Sequence, residues 1–364
     1  MSLSSLAGKA GLLVVLGSLA ACGGGSGSDT DTTLSEIIAE KGLTGDPAAG
    51  RDLPAPTDPV AVLGKKLFFA KSLGGDMDSA CVTCHHPMLG GGDKLSLSVG
   101  VGAVEPDLLG PGREDVGGDP RVPRNAPTVF NMGLYDVSLF HDGRVQVLTL
   151  APGANGEGVE IDTPDSDLVN PDPNAGDNLI AAQARFPITS NSEMRGVNFE
   201  PFGSNQQVRD HLAARLGDYG VGAGELARTE WLAEFQAAYA SALGASELVT
   251  YDNIAFAMGE YQRSMVFASN AWKDYVAGDE AALSESQKRG AVLFFKDVAD
   301  GGAGCASCHS GDFFTDENFH VLAVPQIGHG KGHGISNDDF GRSPITRDPA
   351  DRYRFRTPTL LNVE

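Results

Sequence analysis

Apolar residues recur at helical spacing in several separate stretches, and the gaps between them are rich in glycine and proline. Asp58-Pro59 opens one stretch, with Asp58 placed as N-cap and Pro59 in the first turn; the helix carries Gly64-Lys65-Lys66-Leu67-Phe68-Phe69. Gln206 to Leu216 predicts another helix. Glu225 to Leu243 predicts a third, with Trp231, Phe235 and Tyr239 on one stripe, and Ile254, Met258, Tyr261 and Met265 form the stripe of a fourth. These stripes read as core faces, methionines included. Ser284 with Gln287 makes a capping box ahead of a helix carrying Gly290-Ala291-Val292-Leu293-Phe294-Phe295. Residues 30 to 55 are polar and proline-containing and read as linker. Residues 150 to 180 are rich in Asp, Asn, Pro and Gly without a period, which predicts a loop insertion. Oxygen ligands for calcium abound there, but EF-hand spacing is missing, so a solvated loop is the better reading.

The Gly-x-x-Leu-Phe-Phe segment is therefore present twice, and each copy leads to the same chemistry. Eleven residues separate Phe69 from Cys81-Val82-Thr83-Cys84-His85, and nine separate Phe295 from Cys305-Ala306-Ser307-Cys308-His309. Two cysteines three apart with a histidine directly after is the c-type haem attachment pattern. Each thiolate adds to one vinyl group, and the histidine ligates the iron. One isolated copy can also be a zinc half-site or a redox dithiol. Two copies, with Cys22 the one remaining cysteine, leave those readings little room, and a four-sulfur zinc site does not explain a histidine after each pair. We expect two covalent haems, held by Cys81, Cys84, Cys305 and Cys308 and ligated by His85 and His309. The repeat predicts a mainly α fold of two cytochrome c-like haem domains related by duplication. The first spans 56–275 with the 150–180 insertion, and the second spans 276–364.

The 364 residues suffice for two domains with sizeable cores, and 41% hydrophobic against 21% charged content is that of a globular chain. A formal charge of -21 argues against nucleic acid as a partner. It fits long-range attraction of a small basic electron carrier, or solubility alone. Lys9 precedes a short apolar run, Gly11 to Leu16, that ends in Leu19-Ala20-Ala21-Cys22. This looks like a lipobox, giving a signal peptide over 1–21, acylation of Cys22 and a flexible tether over 22–55. The alternative is an ordinary secretory signal cut after Ala21. Either way export is expected, with lipid anchoring placing the protein on the periplasmic side of a bacterial membrane.

With both Cys-x-x-Cys-His sites in view, the chain from about residue 55 onward resembles the bacterial di-haem cytochrome c peroxidase family, MauG branch included. Arg124-Asn125-Ala126-Pro127-Thr128-Val129-Phe130-Asn131 is similar to the family's segment after the first haem. Phe140-His141-Asp142-Gly143-Arg144 resembles its Phe-Trp-Asp-Gly-Arg. Gln183-Ala184, Pro187 and Glu193-Met194 match its Gln-Ala, Pro and Glu-Met at the same spacing, and Phe355 to Leu360 resembles a later segment. The resemblance implies that hydrogen peroxide binds at the first haem, while the second transfers electrons from a small c-type cytochrome or other redox protein. It implies Glu193 as the acid/base beside the first haem, Gln183 as a neighbour shaping that pocket, and Asn125 as a ligand to calcium. One carboxylate near the iron can take the proton from the bound peroxide oxygen and return it to the departing one, and a Glu among apolar neighbours has a raised pKa suited to that. Members of the family often form homodimers, but no interface is readable along this chain.

Three departures matter. Where many members carry a distal histidine in Ser-Ile-Gly-His-Gly, this chain has Ser98-Val99-Gly100-Val101-Gly102. Valine cannot ligate iron, so the first haem is expected to have an open or water-filled sixth position and to need no reductive activation. His86, next to His85, cannot reach the opposite face. Second, His141 stands where the family has Trp, either as a protonatable group on the inter-haem route or as a hydrogen-bonded core histidine. Third, Leu361-Asn362-Val363-Glu364 falls inside a run that in the family continues to the second iron's far-side ligand, Met or Tyr. The sequence is thus expected to be truncated and the second domain incomplete. His320, His329 and His333 can substitute as that ligand, but surface-loop histidine is the better reading of each. The expected function is reduction of hydrogen peroxide to water. Two rivals are a MauG-like oxidase modifying a partner protein and a lipid-anchored di-haem electron carrier.

Overall fold

The structure, a computed structural model, describes residues 29–167 and 170–363. The signal peptide, Cys22 and the start of the expected tether lie outside the described residues. Among the described residues no helix is long and apolar enough to cross a membrane.

The fold is helix-rich. Helices α1 (Asp29–Lys41), α2 (Pro59–Phe68) and the one-turn α3 (Cys81–Cys84) come first, followed by a glycine-rich loop and three short antiparallel strands. These are β1 (Ser138–Leu139), β2 (Val145–Val147) and β3 (Ile161–Asp162), with β2 central. Next come α4 (Leu179–Gln183), α5 (Asn205–Gly217), α6 (Trp231–Ala238), α7 (Ala245–Leu248) and α8 (Tyr251–Arg263). The remainder holds α9 (Ala271–Val276), α10 (Glu285–Phe295), β4 (Phe319–Val321), α11 (Ser343–Thr346) and β5 (Arg354–Arg356), with β4 and β5 paired antiparallel.

One core lies between α2, α5, α6 and α8, where Leu63, Leu67, Leu212, Phe235, Ile254 and Met258 are buried. α2 crosses α8 so closely that a Cβ on Gly64 would lie 1.8 Å from the Ala257 carbonyl oxygen, so this position of the repeat requires glycine. A second core, with Phe68, Val82, Tyr135, Leu139, Leu179 and Ile180, joins α2, α3, the strands and α4. It encloses the cavity described below.

Four expectations are corrected. Residues 29–55 are not a tether. Leu34, Ile37 and Leu43 are buried against Tyr275 and Phe295, so α1 docks on α10. Farther along, Arg51 pairs with Asp136 at 2.8 Å and Arg263 donates to the Asp52 carbonyl, tying the stretch to the loop before β1 and to the end of α8. The helical spacing of Leu34, Ile37 and Ile38 was present, but it sits in a short charge-rich segment. Second, the expected boundary after residue 275 falls inside a packed cluster, because Trp272 and Tyr275 of α9 stack with each other and Trp272 stacks on Phe295. Third, the helix expected over Glu225 to Leu243 is only α6. Glu225 is held outside it by His211 and Arg215, Thr229 is tied to the Leu216 carbonyl, and Ala240 has positive φ. Fourth, Asp58 does not cap α2 with its side chain; its carboxylate accepts from Ala55 N instead. The 150–180 stretch is mostly turn, pinned by the Asp136 carboxylate, which accepts from Gly153 N and Asn155 N.

Candidate haem sites and the acid pocket

A single helical turn carries Cys81 and Cys84. The Ala80 N–H donates to Thr83 Oγ1 at 2.9 Å, and the His85 N–H closes the turn onto the Cys81 carbonyl at 3.0 Å. His85 then leaves the helix. Its Nδ1 lies 3.0 Å from the Pro127 carbonyl and 3.3 Å from that of Gly91. Both partners are acceptors, so Nδ1 carries the proton and Nε2 keeps the lone pair a metal needs. Pro127 belongs to the Arg124–Asn131 segment, whose Thr128 hydroxyl and Val129 N–H also bond the Gly90 and Gly91 carbonyls. That segment therefore orients the His85 ring. The Phe68 ring of the repeat lies 6.5 Å from the His85 ring.

Cys81, Cys84 and His85 line a cavity of about 350 Å3 together with Phe68, Val129, Leu139, Met194 and Met258. Burial pushes both thiols up to about 12 and the His85 imidazole down. The site thus favours uncharged sulfur, which thioethers supply, and a neutral ligand nitrogen. Donor set and lining fit a covalently attached haem.

Gln183, the last residue of α4, and Glu193 line the same cavity. Asn178 caps α4 through its Oδ1 and so sets the approach of Gln183. The Ser190 carbonyl accepts the Glu193, Met194 and Arg195 N–H groups, forming the turn that presents Glu193. Burial raises the Glu193 carboxyl pKa, opposed by Arg144 and Lys331. Glu193 is half-buried. The Ser98–Gly102 run passes behind it: a Cβ on Gly100 would lie 2.3 Å from the Ser192 and Glu193 carbonyl oxygens. Ser98 lines the cavity, whereas Val101 is half-buried and lies outside the lining.

His141 also lines it, with Nε2 3.4 Å from the Asn125 carbonyl. Burial, Arg124 and Arg356 push its pKa down to about 4, so it is neutral at ordinary pH. A neutral, hydrogen-bonded ring fits the core-histidine reading. Asn125 donates its side-chain Nδ2 to the Leu95 carbonyl. A calcium role for Asn125 rests on the family resemblance alone.

Sequence reading missed the charge cluster at the cavity wall. Arg124 bonds Asp142 at 2.7 Å and Asp339 at 2.6 and 2.8 Å, and Arg144 and Lys331 also reach Asp142. Despite burial, Arg144, Arg124 and Lys331 hold the Asp142 carboxyl well below the usual range. Arg124, Arg144, Lys331 and Arg356 all line the cavity, a cationic wall suited to haem carboxylates. The Asp-Gly-Arg tripeptide was the available signal; Lys331 and Asp339 had none.

The second site repeats the local geometry. Cys305 to Ser307 form a 3-10 turn, His309 N–H bonds the Cys305 carbonyl at 3.0 Å, and His309 Nδ1 lies 3.2 Å from the Phe314 carbonyl. Cys308, Asp316 and His320 place donor atoms within 4.8 Å of one another, the one such group among the described residues. His320 is paired with Asp316 at 2.7 Å, His329 with Asp119 at 2.8 Å, and His333 Nδ1 accepts from Phe340 N. His86 accepts from Met88 N.

The family model for di-haem cytochrome c peroxidase matches residues 59–281. The chain is 27% identical over 347 residues to the methylamine utilization protein MauG of Methylorubrum extorquens, covering 94% of this chain and 73% of that protein. It is 26% identical over 301 residues to the cytochrome c551 peroxidase of Pseudomonas aeruginosa, covering 83% of this chain and 64%, under two thirds, of that protein. Among solved structures, a MauG-like protein associated with microbial copper homeostasis aligns with TM-score 0.54 at 20% identity, covering 85% of this chain and 72% of that one. The diheme peroxidase BthA of Burkholderia thailandensis aligns with TM-score 0.53 at 21% identity, covering 86% and 68%. At these identities the structural likeness speaks to fold.

Proposed function

Because the chain belongs to the di-haem cytochrome c peroxidase family, we propose that it reduces hydrogen peroxide to water at a haem held by Cys81, Cys84 and His85. A second haem, which Cys305, Cys308 and His309 would hold, would supply electrons taken from a small redox protein. The observation that carries this reading is Glu193, a carboxyl of raised pKa inside the cavity that holds the first attachment motif. The first haem, when bound, supplies the metal that takes the peroxide and the electrons that reduce it. Glu193 takes a proton from one peroxide oxygen and delivers it to the other, so that two electrons and two protons convert H2O2 into two waters. Gln183 holds the peroxide by hydrogen bonding, and the apolar lining limits water. Arg124, Arg144, Lys331 and Arg356 would hold the haem carboxylates. The paired segments, each a Phe-bearing helix followed by Cys-x-x-Cys-His, support two domains related by duplication. Lipid anchoring through Cys22 on the periplasmic side rests on the leader sequence.

A MauG-like oxidation of a partner protein has its own support, in Val101 at the family's distal-histidine position and in the likeness to MauG along 94% of this chain. The test mixes the as-isolated, fully oxidised di-haem protein with hydrogen peroxide and a reduced small c-type cytochrome. Rapid oxidation of the cytochrome supports the peroxidase and an open first iron together. Turnover only after pre-reduction overturns the Val101 argument. A peroxide-induced spectral change without donor turnover moves the assignment to the MauG-like oxidase, and no reaction in either redox state leaves an electron carrier.

A further inference from the structure

Glu193 sits on backbone that is gripped from outside the cavity. We propose that His211 is a positioning residue for Glu193: as an imidazolium clamped between Glu200 and Glu225 it sets Arg215, and Arg215 fixes the 72–75 turn on which Met194 rests. This rests on the reading of Glu193 above and adds to it a proton-dependent support.

α5 places His211 and Arg215 one turn apart on the same face. His211 Nδ1 lies 2.6 Å from Glu200 Oε1, and its Nε2 lies 2.6 Å from Glu225 Oε1. A neutral imidazole has one N–H and can satisfy one of these oxygens; its bare nitrogen would face the other lone pair to lone pair. Only the doubly protonated ring donates at both ends. Glu225 passes the constraint on, because its other oxygen accepts from Arg215 Nε. Burial pushes the Glu225 carboxyl up, but hydrogen bonds from His211 and Arg215 outweigh it and hold the carboxyl below its ordinary range.

Arg215 is buried, and its remaining nitrogens reach only backbone: Nη1 donates to the Gly74 carbonyl at 2.8 Å and to that of Ser72 at 3.3 Å, and Nη2 to that of Gly75 at 3.4 Å. Gly75 N–H in turn donates to the Met194 carbonyl at 2.8 Å. The contact admits no side chain, since a Cβ on Gly75 would lie 1.8 Å from the Arg195 carbonyl oxygen. Phe199 fills the space between, its ring centroid 4.6 Å from that of His211 and 4.6 Å from the Arg215 guanidinium. The charged groups facing His211 are thus Glu200 from the loop before α5, Glu225 from the segment after it, and Arg215 on α5 itself. Asp210, beside it in sequence, accepts from Gln206. When His211 gives up a proton, one carboxylate loses its donor and the hold on Glu225 and Arg215 slackens. Misplacing a catalytic group by about 1 Å can cost about 10²-fold in rate, so a smaller shift of Glu193 suffices for a tenfold effect.

The test follows the rate of reaction of the di-haem protein with hydrogen peroxide against pH, in wild type, His211→Gln, Glu225→Gln and Glu193→Gln. Wild type is expected to lose about tenfold along an alkaline limb. His211→Gln and Glu225→Gln should both lack that limb and stay at the alkaline level throughout, the second because it leaves His211 in place but cuts its link to Arg215. Hydrogen exchange of the Gly75 amide, which does not depend on what Glu193 does, should be faster in both variants than in wild type at the same pH. A wild-type limb retained in His211→Gln, or a uniform loss that keeps the limb, overturns the proposal, as does unchanged Gly75 exchange. Glu193→Gln separates the two claims: if it reacts like wild type, the acid/base reading of Glu193 falls whatever His211 does.

Discussion

Two copies of one pentapeptide stand in very different surroundings. At both, the histidine N–H closes onto the first cysteine's carbonyl at 3.0 Å and Nδ1 faces a backbone carbonyl. Nε2 is thus left available to a metal in the same way twice. Around Cys81 the chain returns from far away: Gln183, Glu193, Lys331 and Thr359 all line one cavity, and the Tyr135 hydroxyl there accepts from Thr359 N–H. Around Cys305 the neighbours are aromatic, with Phe294, Phe295 and Phe314 in contact and α1 docked alongside. The repeat's glycine reports the same contrast. Gly64 presses on the Ala257 carbonyl, whereas a Cβ on Gly290 would meet nothing within 4 Å. An attachment motif equips a site to hold a haem. The acid/base chemistry proposed for the first site would come from what the rest of the chain brings to it.

The contrast breaks most sharply at Glu193. Glu193→Gln should lower the peroxide reaction of the haem-loaded protein by about 10²–10⁴-fold while leaving the midpoint potential of the second haem unchanged. A loss no greater than about tenfold would mean the two sites do not differ in acid/base equipment. Asp142→Asn should weaken the fold on both sides of the cavity wall, since it leaves Arg124, Arg144 and Lys331 without their shared anion. Urea unfolding should show a loss of about 3–5 kcal/mol. Because those cations hold the Asp142 carboxyl below its ordinary value, its contribution is fully present above about pH 4 and fades only as pH falls beneath that. The wild-type minus Asn difference should therefore be flat from about pH 5 to 8 and shrink in stronger acid.

Leu34→Ala sharpens the comparison from the other side. It removes the fully buried leucine of α1 and should cost about 2–5 kcal/mol, read as faster hydrogen exchange in α10 with α2 and α8 unaffected. Exchange accelerated equally in α8 would show the two regions to be one cooperative unit. The smallest effect is expected at Asp312, three residues beyond His309, whose carboxylate accepts from Thr44 N, Gly45 N and the Thr44 hydroxyl. Asp312→Ala should loosen this tie by about 1 kcal/mol, seen as faster proteolysis near residue 44.

Much of this protein was legible from contiguous residues. Haem attachment needs two cysteines and a histidine on one turn, so five adjacent letters carry it. α2, α5, α8 and α10 follow from apolar spacing with Asp58-Pro59 and Ser284/Gln287 at two of the starts, and the buried stripe of Ile254, Met258 and Tyr261 is the one expected. Family resemblance pointed to Glu193 and Gln183, and both line the cavity of the first motif. What the sequence left open depends on partners far apart along the chain. The raised Glu193 pKa comes from desolvation, which no local pattern records. The neutrality of His141 comes from burial beside Arg124 and Arg356, where the letter alone permitted either state. Arg124 meets Asp339, Asp312 meets Thr44, and a segment read as linker folds as α1 because Phe295 and Tyr275 are there to receive it. Local covalent and helical geometry is written in neighbouring residues; burial and charge pairing exist only once distant ones have met.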